Sequence, residues 1–176
     1  MTELLLIWGA AAARILPHPS NFAPIGAMAL FGGVYLTGRK AWITPLLAMF
    51  ISDVFLGFHS TMPWVYGSFF LITLLGRRVQ KRVNPVNLMG ASLVASILFY
   101  LVTNFGVWFS TSMYPKTLAG LTQSYFMALP FFRNTILGDL FYSSVLFGSY
   151  ALVKNSEKVL LLIRLRTKQV LPRSLG

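Results

Sequence analysis

The chain has 176 residues, of which 56% are hydrophobic and only 11% charged, and its mean hydropathy is +0.67. Soluble domains carry about a quarter charged residues, so the composition excludes an ordinary water-soluble globule and points to one domain with lipid-facing surface. The net charge of +11 comes from short basic clusters between apolar runs, which is the pattern of membrane topology rather than of nucleic-acid binding. The absence of cysteine excludes a disulfide framework, a thiolate metal site and a cysteine nucleophile.

Six apolar segments follow in order, over residues 4–16, 22–36, 41–58, 62–75, 88–109 and 125–153. The opening MTELLLIWGAAAARIL has small residues at Ala10, Ala11 and Ala12 that resemble a signal-peptide cleavage site. Glu3 and the lack of a basic residue before the apolar run argue instead for a membrane helix. The fifth and sixth segments reach the ~20 residues that a span needs. The first, second and fourth are short, suited to abbreviated or re-entrant helices in a compact bundle.

Sidedness follows from the cations. Arg39 and Lys40 follow segment two; Arg77, Arg78, Lys81 and Arg82 follow segment four; Lys154, Lys158, Arg164, Arg166, Lys168 and Arg173 follow segment six. Lys116 is the exception among the other connections. Six full crossings place every cluster on one face, and the positive-inside rule makes that face cytoplasmic, with both termini. The expected fold is therefore an all-α integral membrane bundle of six transmembrane helices, over residues 1–153. Residues 154–176 form a basic cytoplasmic tail, either solvated or lying as a helix on anionic lipid. Gly9 with Ala13, and Ala29 with Gly33, are small-xxx-small pairs that let helix backbones approach, within the bundle or against a partner.

This orientation gathers the unusual residues on the outer side. His18, Asn21, Asp53, His59, Tyr66, Asn104, Trp108, Tyr114, Arg133 and Asn134 fall in the outer connections or the adjoining helix ends. Charges inside spans cost ~2.5–3.5 kcal/mol each on insertion scales, and they usually face the bundle interior with partners. Arg133 and Asp139, six residues apart, lie about 120° apart on a helix and do not pair directly. Asp53 is the expected countercharge of Arg133. Arg14 and His18 share a face if the first helix continues past Pro17. Arg14 and Asp139 are read as structural or gating residues. Each polar residue also has a plain structural reading, as a register-fixing ion pair or a hydrogen bond between helices. Together with Trp64, Trp108 and Tyr66 they fit an aromatic-lined cavity with polar anchors, the form of a small-molecule site.

Catalytic readings are thinner. No HExxH, GxSxG or phosphate-cradling glycine loop is present, so neither an enzyme nor ATP hydrolysis is expected. His18 and His59 have no metal-ligand spacing, and no metal or resident cofactor is expected.

Four stretches carry a resemblance: RILPHPSNFAPIGAMALFGG, PLLAMFISDVFLGFH, VTNFGVW, and YPKTLAGL with PFFRNTILGDLFY. The chain resembles the substrate-binding S-components of bacterial energy-coupling-factor (ECF) transporters, and among them the solitary cobalamin-transporting proteins. The resemblance implies a six-helix fold in the bacterial inner membrane with an outward-open substrate cavity. It implies a vitamin or cofactor-like substrate, a corrinoid among them, and an energising membrane partner. By motif, His18, Asp53 and Arg133 match polar site residues of the cobalamin-binding relatives. Those relatives ligate cobalt through a cysteine at or near the position of Tyr66. This cysteine-free chain cannot. The expected function is thus small-molecule binding or uptake; the alternative is a structural or accessory subunit of a larger membrane complex.

Overall fold

The computed structural model describes residues 1–170, with side chains through Leu162. Its described residues form six α-helices and one 3-10 turn, with no strand. The helices are α1 (Thr2–Ala13), α2 (Ile25–Tyr35), α3 (Lys40–Leu56), α4 (Met62–Val79), α5 (Pro85–Ser110) and α6 (Leu118–Val170). Two of them, α5 and α6 as far as Leu162, are long and apolar enough to cross a membrane, by length and composition.

Local chemistry sets the ends. Asn84 caps α5 by accepting the backbone N–H of Asn87 at 2.8 Å. Pro85 follows at the first helical position, where its missing donor costs nothing. Gly57, at φ 93°, ends α3 in a conformation that a side chain would disfavour. Lys116 folds back over the last turn of α5. Its Nζ donates to the carbonyls of Trp108, of Phe109 at 3.0 Å and of Thr111 at 2.6 Å. A cation there complements the negative end of the helix dipole, which gives Lys116 a local structural role.

α2 is the centre of the bundle and packs against the five other helices. Residues 26–34 are all buried, as expected of a helix that is apolar on every face. Glycine permits its closest crossing. A Cβ on Gly33 would collide with the Thr73 carbonyl of α4 and lie 3.0 Å from the Gly76 Cα; one on Gly76 would lie 2.5 Å from the Leu30 carbonyl oxygen. Gly32 similarly leaves room for the ring of Pro45 in α3. Of the two small-residue pairs, Ala29 and Gly33 thus serve the interior. Gly9 is exposed, with open space where a Cβ would be.

The helix bounds depart from the apolar segments in three places. α2 covers only 11 residues, about 16 Å, because Pro17, Pro19 and Pro24 interrupt the chain before it; residues 14–24 are irregular. α4 runs on to Val79, through the basic pair Arg77 and Arg78. α6 begins at Leu118, inside the expected outer loop, and continues past Lys154 without a break. The proposed surface tail is therefore an extension of α6 as far as Val170, and the reading of Arg173 lies outside the described residues. At the end bearing the N-terminus, Tyr150 donates to Glu3 at 2.8 Å and ties α6 to α1.

Much of the remaining surface is apolar. Exposed residues include Leu47, Phe50, Val54 and Phe55 on α3, Val94, Ile97 and Leu101 on α5, and Phe126, Leu137 and Phe141 on α6. Contiguous apolar surface on this scale marks contact with lipid or with other protein.

Candidate functional site

Where α1 stops, at Ala13, the irregular residues 14–24 cross toward α2 and form one wall of a cavity. α6 holds this segment in place. Asn134 donates to the Ser20 carbonyl at 3.0 Å, and one turn on Gly138 lets the backbone of Phe22 approach, leaving only 3.1 Å from a would-be Cβ to the Phe22 Cα. The Phe22 ring then packs at 5.8 Å from Phe141 and 5.7 Å from Tyr142. Asn21 adopts φ 63°, a left-handed conformation that asparagine tolerates better than most residues.

The cavity has a volume of about 230 Å³. Its polar lining comes from Arg14, His18, Asn21, Thr135 and Asp139; Ile25, Leu56 and Phe99 supply apolar wall, with Ala23 and Gly26 completing it. The lining residues thus come from α2, α3, α5, α6 and the segment following α1.

Arg14 is the C-cap of α1, and its guanidinium is engaged from the α3 side. It pairs with Asp53 at 2.5 Å and donates to the Ser52 hydroxyl at 2.6 Å. The other oxygen of Asp53 accepts from the Tyr66 hydroxyl at 2.7 Å. Asp53 is 1% exposed; its Oδ1 meets Arg14 as an ion pair without hydrogen-bond alignment. Asp53 therefore pairs with Arg14, which corrects the expected Asp53–Arg133 pair. The reason is facing: the end of α1 reaches Ser52 and Asp53, whereas Arg133 is on an exposed face of α6.

Arg133 is exposed, on the α6 face shared with Phe126, Leu137 and Phe141. Among the described residues it makes no ion pair or side-chain hydrogen bond, and it does not line the cavity. Its neighbour by sequence in the quoted motif, Asn134, is the latch to Ser20 described above. Asp139, set about 120° away from Arg133 on the helix, is 3% exposed and does line the cavity. Ser96 of α5 donates to Asp139 Oδ2 at 2.7 Å. A Cβ on Gly26 would collide with its carboxylate, so Asp139 lies against the first turn of α2, at the positive end of that helix dipole.

The other sequence candidates lie elsewhere. His18 is at the cavity, with Nδ1 3.0 Å from the Pro19 carbonyl and Nε2 3.2 Å from that of Arg14. It meets Arg14 through the backbone, because α1 ends before a shared helical face can form. His59 contacts Thr61 at 2.8 Å within the exposed α3–α4 connection. Asn104 donates to Tyr100 of its own helix at 2.8 Å, and Trp108 donates to Pro115 at 2.9 Å. Trp64 packs over Gly106, 5.1 Å from Phe105 and 5.6 Å from Phe109. These aromatics form a separate cluster between α4 and α5, so the expected aromatic lining reduces to Phe99. Among the described residues no three His, Cys, Asp or Glu side chains come together as a metal site.

Sequence reasoning missed Thr135, Gly26, Phe99, Ser52 and Ser96. Only Thr135 carried a readable signal: it is four residues before Asp139 and so on the same helical face. No curated protein and no solved structure matches the chain. A family model matches residues 1–161, and the chain accordingly belongs to DUF6580, a family of unknown function.

Proposed function

We propose that this protein is a membrane-embedded substrate-binding or uptake protein of the ECF S-component type, taking a small molecule from outside a bacterial inner membrane. The observation that supports this reading is the cavity of about 230 Å³ lined by Arg14, His18, Asn21, Thr135 and Asp139. A cavity with apolar wall and a few polar anchors is the form that small-molecule recognition takes. The sequence has no phosphate-cradling glycine loop, so the proposed uptake draws on an energising membrane partner or an ion gradient. The volume is below the ~300–1,000 Å³ of drug-sized sites. The ligand proposed is accordingly a small vitamin-like or metabolite-like molecule, and not a corrinoid, which is far larger.

The proposed topology has six crossings with both termini cytoplasmic. Its support is charge placement: Arg39 follows α2 and Lys40 opens α3, Arg77 and Arg78 stand in the last turn of α4 with Lys81 and Arg82 just beyond it, and Lys154 lies in α6 past its most apolar stretch. α1 and α2, of 12 and 11 residues, reach about 16–18 Å each, short of the ~30 Å hydrocarbon core. Residues 14–24 complete those crossings. Irregular backbone is tolerated at that depth where it lines a cavity or is covered by protein. The natural absence of cysteine makes the topology directly testable. Single cysteines at Ser60 and Ser112 are expected to react with a membrane-impermeant maleimide in intact spheroplasts, and one at Ser156 only after lysis. Reaction of all three before lysis, or the reverse pattern, overturns the arrangement.

Binding is tested by mass spectrometry of the protein freshly extracted in mild detergent. A small molecule retained by the wild type and lost from Ala23→Trp, which fills the cavity, is the expected result. No retained compound in either sample counts against the function.

The alternative, an accessory subunit of a membrane complex, draws on Gly9, which is exposed where a second helix can approach closely. A stoichiometric companion chain whose binding is lost in Gly9→Leu favours it.

A further inference from the structure

The cavity holds an imbalance of charge. Three ionisable side chains line it: Arg14, His18 and Asp139. Arg14 is already neutralised by Asp53 at 2.5 Å and hydrogen-bonded to Ser52 at 2.6 Å. Asp139 has no such partner: among the described residues, no lysine, arginine or histidine lies within ion-pair distance of it. Its known support is the Ser96 hydroxyl at 2.7 Å and the first turn of α2, against which Gly26 lets it lie. The positive end of a helix is equivalent to roughly half an elementary charge. Asp139 thus has only a neutral hydroxyl and a helix dipole as partners, although it is 3% exposed and lines the cavity. A buried carboxylate without a countercharge is costly, and either a proton on the group or a cation in the cavity removes the cost.

Resting on the binding function proposed above, we infer that the cavity takes a small organic cation, a protonated amine whose ammonium group sits on the carboxylate of Asp139. Thr135, one helical turn away, donates its hydroxyl proton to Phe131 at 3.1 Å. Its oxygen thereby stays an acceptor, suited to an ammonium N–H and not to an anion. Phe99 lines the same cavity, and an aromatic face attracts a cation through its quadrupole. An anionic ligand would have to compete with Asp53 for the one guanidinium at the wall.

The test compares three molecules of nearly equal size and different charge: phenethylamine, 2-phenylethanol and phenylacetate. Each is titrated calorimetrically into the full chain in lipid nanodiscs, with empty nanodiscs subtracted. The amine is expected to bind at least tenfold more tightly than the alcohol, and phenylacetate more weakly still. In Asp139→Asn the amine is expected to fall to the level of the alcohol. If that variant does not fold, the ranking on the unaltered protein decides. Equal or tighter binding of the alcohol or the acid overturns the cation inference while leaving a binding protein in place, and so does an amine preference that survives Asp139→Asn. Failure of all three compounds, with a neutral or anionic molecule retained through purification, also overturns it. Failure of all three with nothing retained removes the cation inference and the binding function together.

Discussion

Arg14→Met is expected to lower stability by about 3–5 kcal/mol, the cost of breaking a buried ion pair and leaving one charge behind. The stranded group is Asp53, 1% exposed, whose remaining partner is the Tyr66 hydroxyl at 2.7 Å. Asp53→Leu is expected to cost less, because Arg14 keeps its hydrogen bond to Ser52 and its side chain is 11% exposed against 1% for that of Asp53. The double variant Arg14→Met/Asp53→Leu is expected to recover most of the loss, since replacing a whole buried pair with apolar groups of similar volume is often neutral. A double-mutant cycle of unfolding in detergent micelles measures the coupling. Additive losses of under about 1 kcal/mol each would mean that the pair is solvated and does not join α1 to α3.

The second large effect lies at the centre of the bundle. Gly33→Ala is expected to cost about 3 kcal/mol, the upper end of overpacking, and Gly33→Leu to yield no folded protein. The atoms in the way are backbone, the Thr73 carbonyl and the Gly76 Cα. They cannot rotate aside as a side chain would, so α2 and α4 must separate along a crossing that α2 makes while surrounded on every side. Gly9→Ala and Gly67→Ala are the controls. Both sites are helical with nothing within 4 Å of an added Cβ, so alanine there is expected to be neutral or to stabilise by up to about 1 kcal/mol through lower chain entropy. Thermal unfolding and size-exclusion behaviour in one detergent compare the four variants. If Gly33→Ala behaves like Gly9→Ala, the glycine crossing is not what brings these helices together.

The two effects meet at the cavity. α2 presents its first turn to Asp139 through Gly26 and packs its other end on α4 through Gly33. Arg14 is engaged from α3 by Asp53 and Ser52 and makes no ion pair with Asp139. The packing glycines and the buried pair thus shape the site without being the groups proposed to touch a ligand.

Much of this was legible beforehand, and for identifiable reasons. A hydrophobic share of 56% against 11% charge dictates a helical architecture with apolar surface, because only helices and closed barrels satisfy every backbone group in an apolar medium. Apolar runs place the six helices, though proline-rich residues 14–24 and the helical start at Leu118 shift their ends. The 120° between Arg133 and Asp139 is a property of the helix alone, and it holds wherever α6 is placed. Which of the two faces inward is not. That depends on where α2 and α5 pack, and these helices take the side of Asp139 through Gly26 and Ser96. Likewise, no spacing in the chain pairs Arg14 with Asp53, which lie 39 positions apart and meet because α1 and α3 end at the same level. Periodicity along one helix is local and readable from residue order. The choice of partner across helices is a property of three-dimensional packing, and it is that choice which gives Asp53 a cation and leaves Asp139 without one among the described residues.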